Sequence, residues 1–489
     1  MGGYAFPSRE DSEAETLINF DFLRDGRLAT RLGCTKLNTN SMGSTIMVGI
    51  GYAYLPTERI IVAKYGNTMY HKAQPYDGAW AAITSPQNTG DNDVRMENAV
   101  DTTSTPLVLF ASNGYTGILE WDGVAAGPTL IAGSPVGRFI RSVDGVVYVA
   151  GNITYPFRIY FSDESDPETW PTDNFFDIES RHGKITGLER QAGFMVIFTE
   201  KSILQLQGNP PLNFRVRVLH EGMGCTAANS ISTFGSVTAF VSNGGVFFYL
   251  SGGVSSFGEQ IVGAGFHSPN VGSGADNYGV LTPYTYFYNT TQCSSGSAAA
   301  PSASGARMYV YDRLRFRSWV IWEYPVTTAY GSLSPSRVPA LSNEDGLIVG
   351  GGDGNIYLQK IRTPENASGQ APISFTQDST AIDVVSTYES RDLVMGDFML
   401  QKGISKVIVS EFGSSMTVKL KLRNYAYTLT PYTLVNGAGS LPAEYNLPAT
   451  ADRFGQWAAC RLYVSGKSII YRGADIFWRP IRYSGNQSI

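Results

Sequence analysis

A chain of 489 residues is long enough for two or three domains, or for one large β architecture with an appendage. Only 16% of it is charged, while 12% is aromatic and 53 residues are glycine. That balance suits many short strands joined by tight turns and argues against a helical protein, where Ala, Leu, Glu and Lys would dominate. The net charge of −5 argues against a tight nucleic-acid binder, since neutralising phosphates needs a basic surface, but it permits a conduit along which nucleic acid slides.

The opening Met1-Gly2-Gly3-Tyr4-Ala5-Phe6-Pro7 has no basic or apolar leader region, and no run approaches the ~18 apolar residues of a membrane helix. Neither a secretion signal nor a membrane span is expected. Residues 1–44 read as a segment entering the first unit of a repeated β body. From residue 45 strand pairs recur with turn punctuation. Asn113-Gly114, Asp144-Gly145, Asn243-Gly244-Gly245 and Gly352-Asp353-Gly354 each stand between apolar runs, where type I′ turns need positive φ at both central residues. Irregular spacing of roughly 35–60 residues between hairpins suggests propeller blades with insertions, with an array of β-sandwiches as the alternative.

Residues 45–362 are therefore expected to form a propeller-like body. The stretch 263–305, ending in the low-complexity run 294–305, is expected to be a flexible insertion. Residues 363–377 read as a Pro/Asn/Gly/Ser/Gln linker, and 378–489 as a small β-sandwich. The fold class is all-β: an irregular β-propeller-like body with insertions plus a small C-terminal β-sandwich. Cys34, Cys225, Cys293 and Cys460 lie far apart and read as free thiols in a reducing compartment, the rival reading being one long-range disulfide.

Two basic sets alternate with apolar residues: Arg313, Arg315 and Arg317 with Leu314 and Phe316, and Lys419, Lys421 and Arg423 with Leu420 and Leu422. Period-2 geometry puts each set on one face of a strand. The plain reading is a solvated sheet face; the functional one is a subunit interface or the lining of a lumen. Arg215 and Arg217 repeat the pattern around Val216.

No catalytic motif is present. The turn from Ser162 to Trp170 has Glu164 where a sialidase Asp-box, Ser-x-Asp-x-Gly-x-x-Trp, has its Asp, and lacks the Gly. Asp91-Asn92-Asp93 and Asp353-Gly354-Asn355 lack the spacing of a closed calcium loop, and His71, His182, His220 and His267 are scattered. There is no Walker A, Gly-x-Ser-x-Gly or His-Glu-x-x-His. No enzyme activity, metal or cofactor is expected.

Five stretches carry a resemblance. The apolar strand and acidic turn from Phe157 through Ser162-Asp163-Glu164-Ser165-Asp166 to Trp170-Pro171 is followed by the strand–turn–strand of residues 187–208. Before them lies Asp25-Gly26-Arg27-Leu28-Ala29-Thr30-Arg31-Leu32-Gly33, with Cys34 interrupting a Gly-Thr pair. After them comes Gly222-Met223-Gly224-Cys225, and towards the C-terminus Gly396-Asp397-Phe398 with Lys402, Lys406 and Val407. Together these resemble the tail-hub proteins of short-tailed bacteriophages, also called stabilization, tail-nozzle or tail tubular B-type proteins. The resemblance implies a structural virion protein of the tail, made in the host cytoplasm. It implies a homo-hexameric ring that meets a tail adaptor protein at one end and fibre or spike proteins at the other. Genomic DNA would pass through without specific binding. The alternative from another class is a propeller that binds or hydrolyses glycans; a scaffolding propeller for cellular partners is a third.

Overall fold

The computed structural model describes residues 14–22, 28–42, 47–55, 58–66, 68–83, 94–112, 116–211, 213–242, 247–250, 253–257, 277–290, 307–313, 319–323, 346–350 and 354–361. Towards the C-terminus it describes 375–377, 380–382, 385–390, 393–394, 401–424, 429–439, 443–445, 454–455 and 457–481. The chain divides into two compact units, one of Met1–Cys34, Val320–Trp322 and Ile361–Ile489, the other of Thr35–Trp319 and Glu323–Lys360.

Strands β1 (Ala14–Ile18), β2 (Phe20–Phe22) and β3 (Leu28–Thr30) belong to the first unit, and β4 (Cys34–Lys36) leads into the second. The second unit is propeller-like, a succession of small antiparallel sheets. Blade 1 holds β5 (Met47–Tyr54), β6 (Arg59–Tyr65), β7 (Thr68–Ala73) and β8 (Ala81–Ile83). Blade 2 holds β9 (Val94–Val100), β10 (Pro106–Ser112), β11 (Leu119–Trp121) and β12 (Thr129–Leu130). Blade 3 holds β13 (Phe139–Val143), β14 (Val146–Ala150), β15 (Arg158–Phe161) and β16 (Phe175–Asp177). Blade 4 holds β17 (Ile185–Gln191), β18 (Phe194–Thr199), β19 (Ser202–Asn209) and β20 (Asn213–Glu221). Blade 5 holds β21 (Ser232–Phe234), β22 (Val237–Val241), β23 (Phe247–Leu250) and β24 (Val254–Ser256). Blade 6 holds β25 (Asn277–Leu281), β26 (Thr285–Thr290) and β27 (Arg307–Asp312); β28 (Trp319–Glu323) follows. In blade 7, β29 (Gly346–Gly350) and β30 (Ile356–Lys360) are joined by the N-terminal β4.

The first strands β5, β9, β13, β17, β21 and β25 lie side by side in that order, as inner strands around an axis do. Second strands such as β6, β14 and β18 are covered on both faces, which is why they read as continuous apolar runs. Each seam between blades is an apolar layer. Val62, Val108, Phe110 and Trp121 fill the seam of blades 1 and 2, Leu109, Ile140 and Val149 that of blades 2 and 3, and Tyr148, Phe161, Met195 and Leu204 that of blades 3 and 4. Burying one such side chain contributes about 1.5–3 kcal/mol. Ile348, Ile356 and Leu358 of blade 7 pack on Met47, Ile61 and Tyr65 of blade 1. Asn38 fastens the incoming chain there: its Oδ1 accepts from Ile356 N at 2.8 Å and its Nδ2 donates to Asn355 Oδ1 at 3.0 Å.

Turn chemistry matches the sequence where it is described. Asp144 and Gly145 have φ of 49° and 80°, both positive, between β13 and β14. A second turn recurs between the third and fourth strands. In blade 2, Asp122 Oδ1 accepts from Val124 N and Ala125 N, and Trp121 Nε1 donates to Ala125 O. In blade 3, Asp166 Oδ1 accepts from Glu168 N and Thr169 N, and Trp170 Nε1 donates to Pro167 O. The conspicuous acidic turn is thus an Asx-type staple whose Trp170 packs on the seam of blades 2 and 3.

The structure departs from the expected segmentation in two places. Residues 277–290 fall inside the stretch 263–305 expected to be flexible, yet they form β25 and β26 with Val280, Leu281, Tyr286, Phe287 and Tyr288 buried. The low-complexity run 294–305 lies outside the described residues; the Tyr/Phe-rich part before it has enough apolar surface to order. Residues 14–30, expected to enter the first blade, instead join the C-terminal unit, and blade 7 receives β4.

In that first unit β31 (Phe375–Gln377) pairs with β32 (Thr380–Ile382). Strand β33 (Val385–Ser390) is followed by β34 (Leu393–Val394), β35 (Gln401–Asn424), β36 (Leu429–Gly439), β37 (Ala443–Tyr445), β38 (Phe454–Gly455) and β39 (Trp457–Ile481). β33 pairs with both β1 and β39, and β3 with β39. β35 and β39, of 24 and 25 residues, pair along their length with several bulges, which let long strands bend as they do at sandwich corners. Asn19, at φ 59°, donates from Nδ2 to Val385 O at 2.9 Å and accepts from Arg31 Nε at 2.9 Å.

Candidate functional site

The inner strands of the propeller-like unit enclose a cavity of about 310 Å³, lined among others by Gly49, Gly51, Tyr52, Arg95, Asn98, Arg141, Glu189, Asn229, Thr233 and Tyr278. Glycines on β5 and β25 in its wall let neighbouring backbone approach closely. A Cβ on Gly49 would stand 2.7 Å from Val94 O, and one on Gly279 2.4 Å from Ser230 O. A more open recess of about 540 Å³ adjoins it and shares Arg141 and Glu189 with Glu97.

One guanidinium organises this space. Arg141 on β13 lies with Nη1 3.3 Å from Glu97 Oε2 on β9 and Nη2 2.9 Å from Glu189 Oε2 on β17. Glu97 Oε1 also accepts from Ser142 N at 3.2 Å, and Glu189 Oε1 from Arg190 N at 3.1 Å. The three side chains keep only 11–20% of their surface exposed. Burial pushes the Glu97 carboxyl above the usual carboxylate range, with the Arg141 charge opposing it. Burial also works against the Arg141 cation, but Glu189 and Glu97 outweigh it and raise its pKa. Beside this cluster Arg95 bonds Asn229 and lies over the Phe139 ring, 5.7 Å from its centroid. Asn98 donates to Tyr52 O at 2.8 Å and accepts from Tyr54 N at 3.0 Å. Chemically the arrangement fixes charges in pairs across three blades, and both carboxylates face the same cation.

The sequence-derived candidates sit elsewhere. Arg313 closes the β25–β26 turn, donating from Nη1 to Thr282 O at 3.3 Å and Pro283 O at 3.4 Å. Arg315 and Arg317 lie outside the described residues. On β35, Val418, Leu420 and Leu422 are buried, while Lys419 and Lys421 occupy the other face, as the alternation required. Lys421 Nζ stands 2.8 Å from Glu389 Oε2, and both lysines lie over the Tyr463 ring, 5.7 and 5.1 Å from its centroid. Arg423 pairs through its backbone with Leu429 and Ala459; its side chain is outside the described set. Asp91-Asn92-Asp93 lies outside it too. Among the described residues no three His, Cys, Asp or Glu side chains cluster as metal ligands, and no helix is long and apolar enough to cross a membrane.

No family model and no curated protein matches the chain. Among solved structures it is similar to YCF48 bound to D1 peptide, at 12% identity and TM-score 0.38, over 67% of this chain and 95% of that one. It is similar to Sqt1 of Saccharomyces cerevisiae at 10% identity and TM-score 0.39, over 68% of this chain and 100% of that one. A glycoside hydrolase follows at 12% identity and TM-score 0.28, over 89% of this chain and 98% of that one. At such identities and scores the likenesses say nothing of what this chain binds. The propeller-like class rests on its own blade order.

Proposed function

We propose that this chain is a structural subunit of the tail of a short-tailed bacteriophage, one copy of a hexameric hub or nozzle that extends the DNA-ejection channel below an adaptor and anchors fibres or spikes. One structural observation supports this. Among the inner strands of the propeller-like unit Arg141 holds Glu97 and Glu189 at 3.3 and 2.9 Å, a charge network that ties three blades together as a rigid scaffold requires. A channel for DNA would then be bounded by several copies and would not run through one. The net charge of −5 suits such a channel, since like charge disfavours contact within about a Debye length, ~8 Å at physiological salt. Electron microscopy of the purified chain mixed with, and without, virion tails lacking it tests the proposal. A six-fold ring on the tail axis is the expected image. A monomer that neither forms rings nor joins tails overturns it.

A second reading, a glycan-binding propeller, draws on the polar cavity of about 310 Å³ with Tyr52 and Tyr278 in its wall, since ligand sites begin near that size. It requires calorimetric binding of host surface polysaccharide by the isolated chain, and loss of that binding in Tyr278→Ala.

A further inference from the structure

The outer edges of the blades are unequal. The fourth strands β8, β12, β16 and β24 have two or three residues each, which is how sheet proteins keep their edges from recruiting other chains. β20 has nine, and it pairs with β19 from Ser202↔Glu221 to Asn209↔Asn213. Among the described residues no strand pairs with its other side. Alternate backbone groups along that side point away from β19.

Its side chains show what would fit. Phe214 and Val218 pack on the seam of blades 3 and 4 and hold the strand in place. Arg215 and Arg217 are exposed on the opposite face. Arg215 Nε donates to Gln207 Oε1 at 2.8 Å, and Gln207 Nε2 donates to Gln205 Oε1 at 3.0 Å, so the cross-strand neighbours are neutral amides. No described carboxylate forms an ion pair with either guanidinium. Arg–carboxylate pairs are bidentate and directional, and two arginines at i and i+2 match carboxylates at i and i+2 of an added strand.

We infer that β20 is a docking edge for an extended segment of another protein that adds a fifth strand to blade 4 and carries acidic residues at alternate positions. Main-chain bonds supply affinity and the arginines select the sequence. The inference does not depend on the tail assignment.

Amide hydrogen exchange on the full chain tests it, with the blocked peptide Thr-Glu-Val-Glu-Val-Glu-Thr at millimolar concentration as probe. The alternate β20 amides that do not bond β19 should exchange rapidly in the chain alone and at least tenfold more slowly with the peptide. The Thr-Lys-Val-Lys-Val-Lys-Thr counterpart should give no protection. The double variant Arg215→Glu/Arg217→Glu should reverse that preference, with unchanged exchange in β18 reporting that the blade is folded. The inference is overturned if those amides are already slow in the chain alone, because the edge is then covered within the chain. It is equally overturned if both peptides protect alike, if neither does, or if an oligothymidylate protects where the acidic peptide does not.

Discussion

Arg141 Nη2 stands 2.9 Å from Glu189 Oε2 while Nη1 of the same guanidinium reaches Glu97, so a single side chain ties the inner strands of blades 2, 3 and 4. Arg141→Met keeps the apolar stem and removes the charge, leaving two carboxylates facing each other. The cost of breaking a buried pair is about 3–5 kcal/mol, and the partial exposure here lowers it to roughly 2–4 kcal/mol. Glu97→Gln retains a hydrogen-bond acceptor for Ser142 N and should cost about 1 kcal/mol. Urea unfolding midpoints of the two variants test this ordering, and equal midpoints would sink it.

Glu120 on β11 meets Glu168 of the acidic turn. Burial, with the neighbouring Glu168 adding to it, pushes the Glu120 carboxyl up to about 7. Its folded value exceeds the unfolded one, near 4.5, so the folded chain holds a proton that the unfolded chain has lost. That contribution is fully present below about pH 4.5 and disappears as pH rises through about 7. Between pH 5 and pH 8 the turn should therefore loosen, with smaller amide protection factors (rates relative to the unstructured amide at the same pH) at Glu168 and Thr169 and a shift in Trp170 emission. Glu120→Gln should flatten both responses. A turn equally protected at both pH values would refute the proton held on Glu120.

What the sequence made legible was local. Asp144-Gly145 marked its hairpin because positive φ at two successive positions has few chemical solutions, and the runs of β6 and β18 marked strands covered on both sides. The alternation at Lys419 and Lys421 gave their face correctly, but Glu389, the partner of Lys421, lies over 30 residues away and has no local signal. The axial network was missed for the same reason. Glu97, Arg141 and Glu189 are ordinary charges in short strands, two of them beside an arginine of the same strand (Arg95, Arg190), indistinguishable from solvated positions until the blade order brings the three strands together. Charged side chains in the first strand of three successive blades were the available clue. The acidic turn drew attention by its composition, whereas its role is to cap backbone amides and seat Trp170.

The approach of β5 to β9 depends on glycine. An added Cβ on Gly49 would stand 2.7 Å from the Val94 carbonyl oxygen, a backbone atom that cannot swing aside, whereas at Gly51 it would meet Met96 Sδ at 2.8 Å. Gly49→Ala should lower stability by about 1–3 kcal/mol through overpacking, and Gly51→Ala by less because the thioether can move. Gly253→Ala, where nothing lies within 4 Å, serves as the neutral control. Thermal unfolding midpoints that put Gly49→Ala level with the control would show that the inner strands have slack.

Cys34 and Cys225 are buried, and burial pushes both thiols up to about 12, against the opposing influence of Arg31 on the first and Ser230 on the second. The thiolate is the reactive form, so at pH 8 only about one molecule in ten thousand presents it, and that one is shielded from solvent. Iodoacetamide at pH 8 should leave both residues unmodified in the folded chain and alkylate both in guanidinium chloride, as read by peptide mass spectrometry. The raised values also have a sign in stability. The folded thiols keep their protons while unfolded ones lose them near 9, so this contribution is present below about pH 9 and is lost as pH rises towards about 12. Replacing either residue by Ala should therefore make the alkaline limb of the stability profile shallower, at the cost of a small cavity. Alkylation of Cys34 or Cys225 in the folded chain at the rate of a free thiol would show that their cover opens without unfolding.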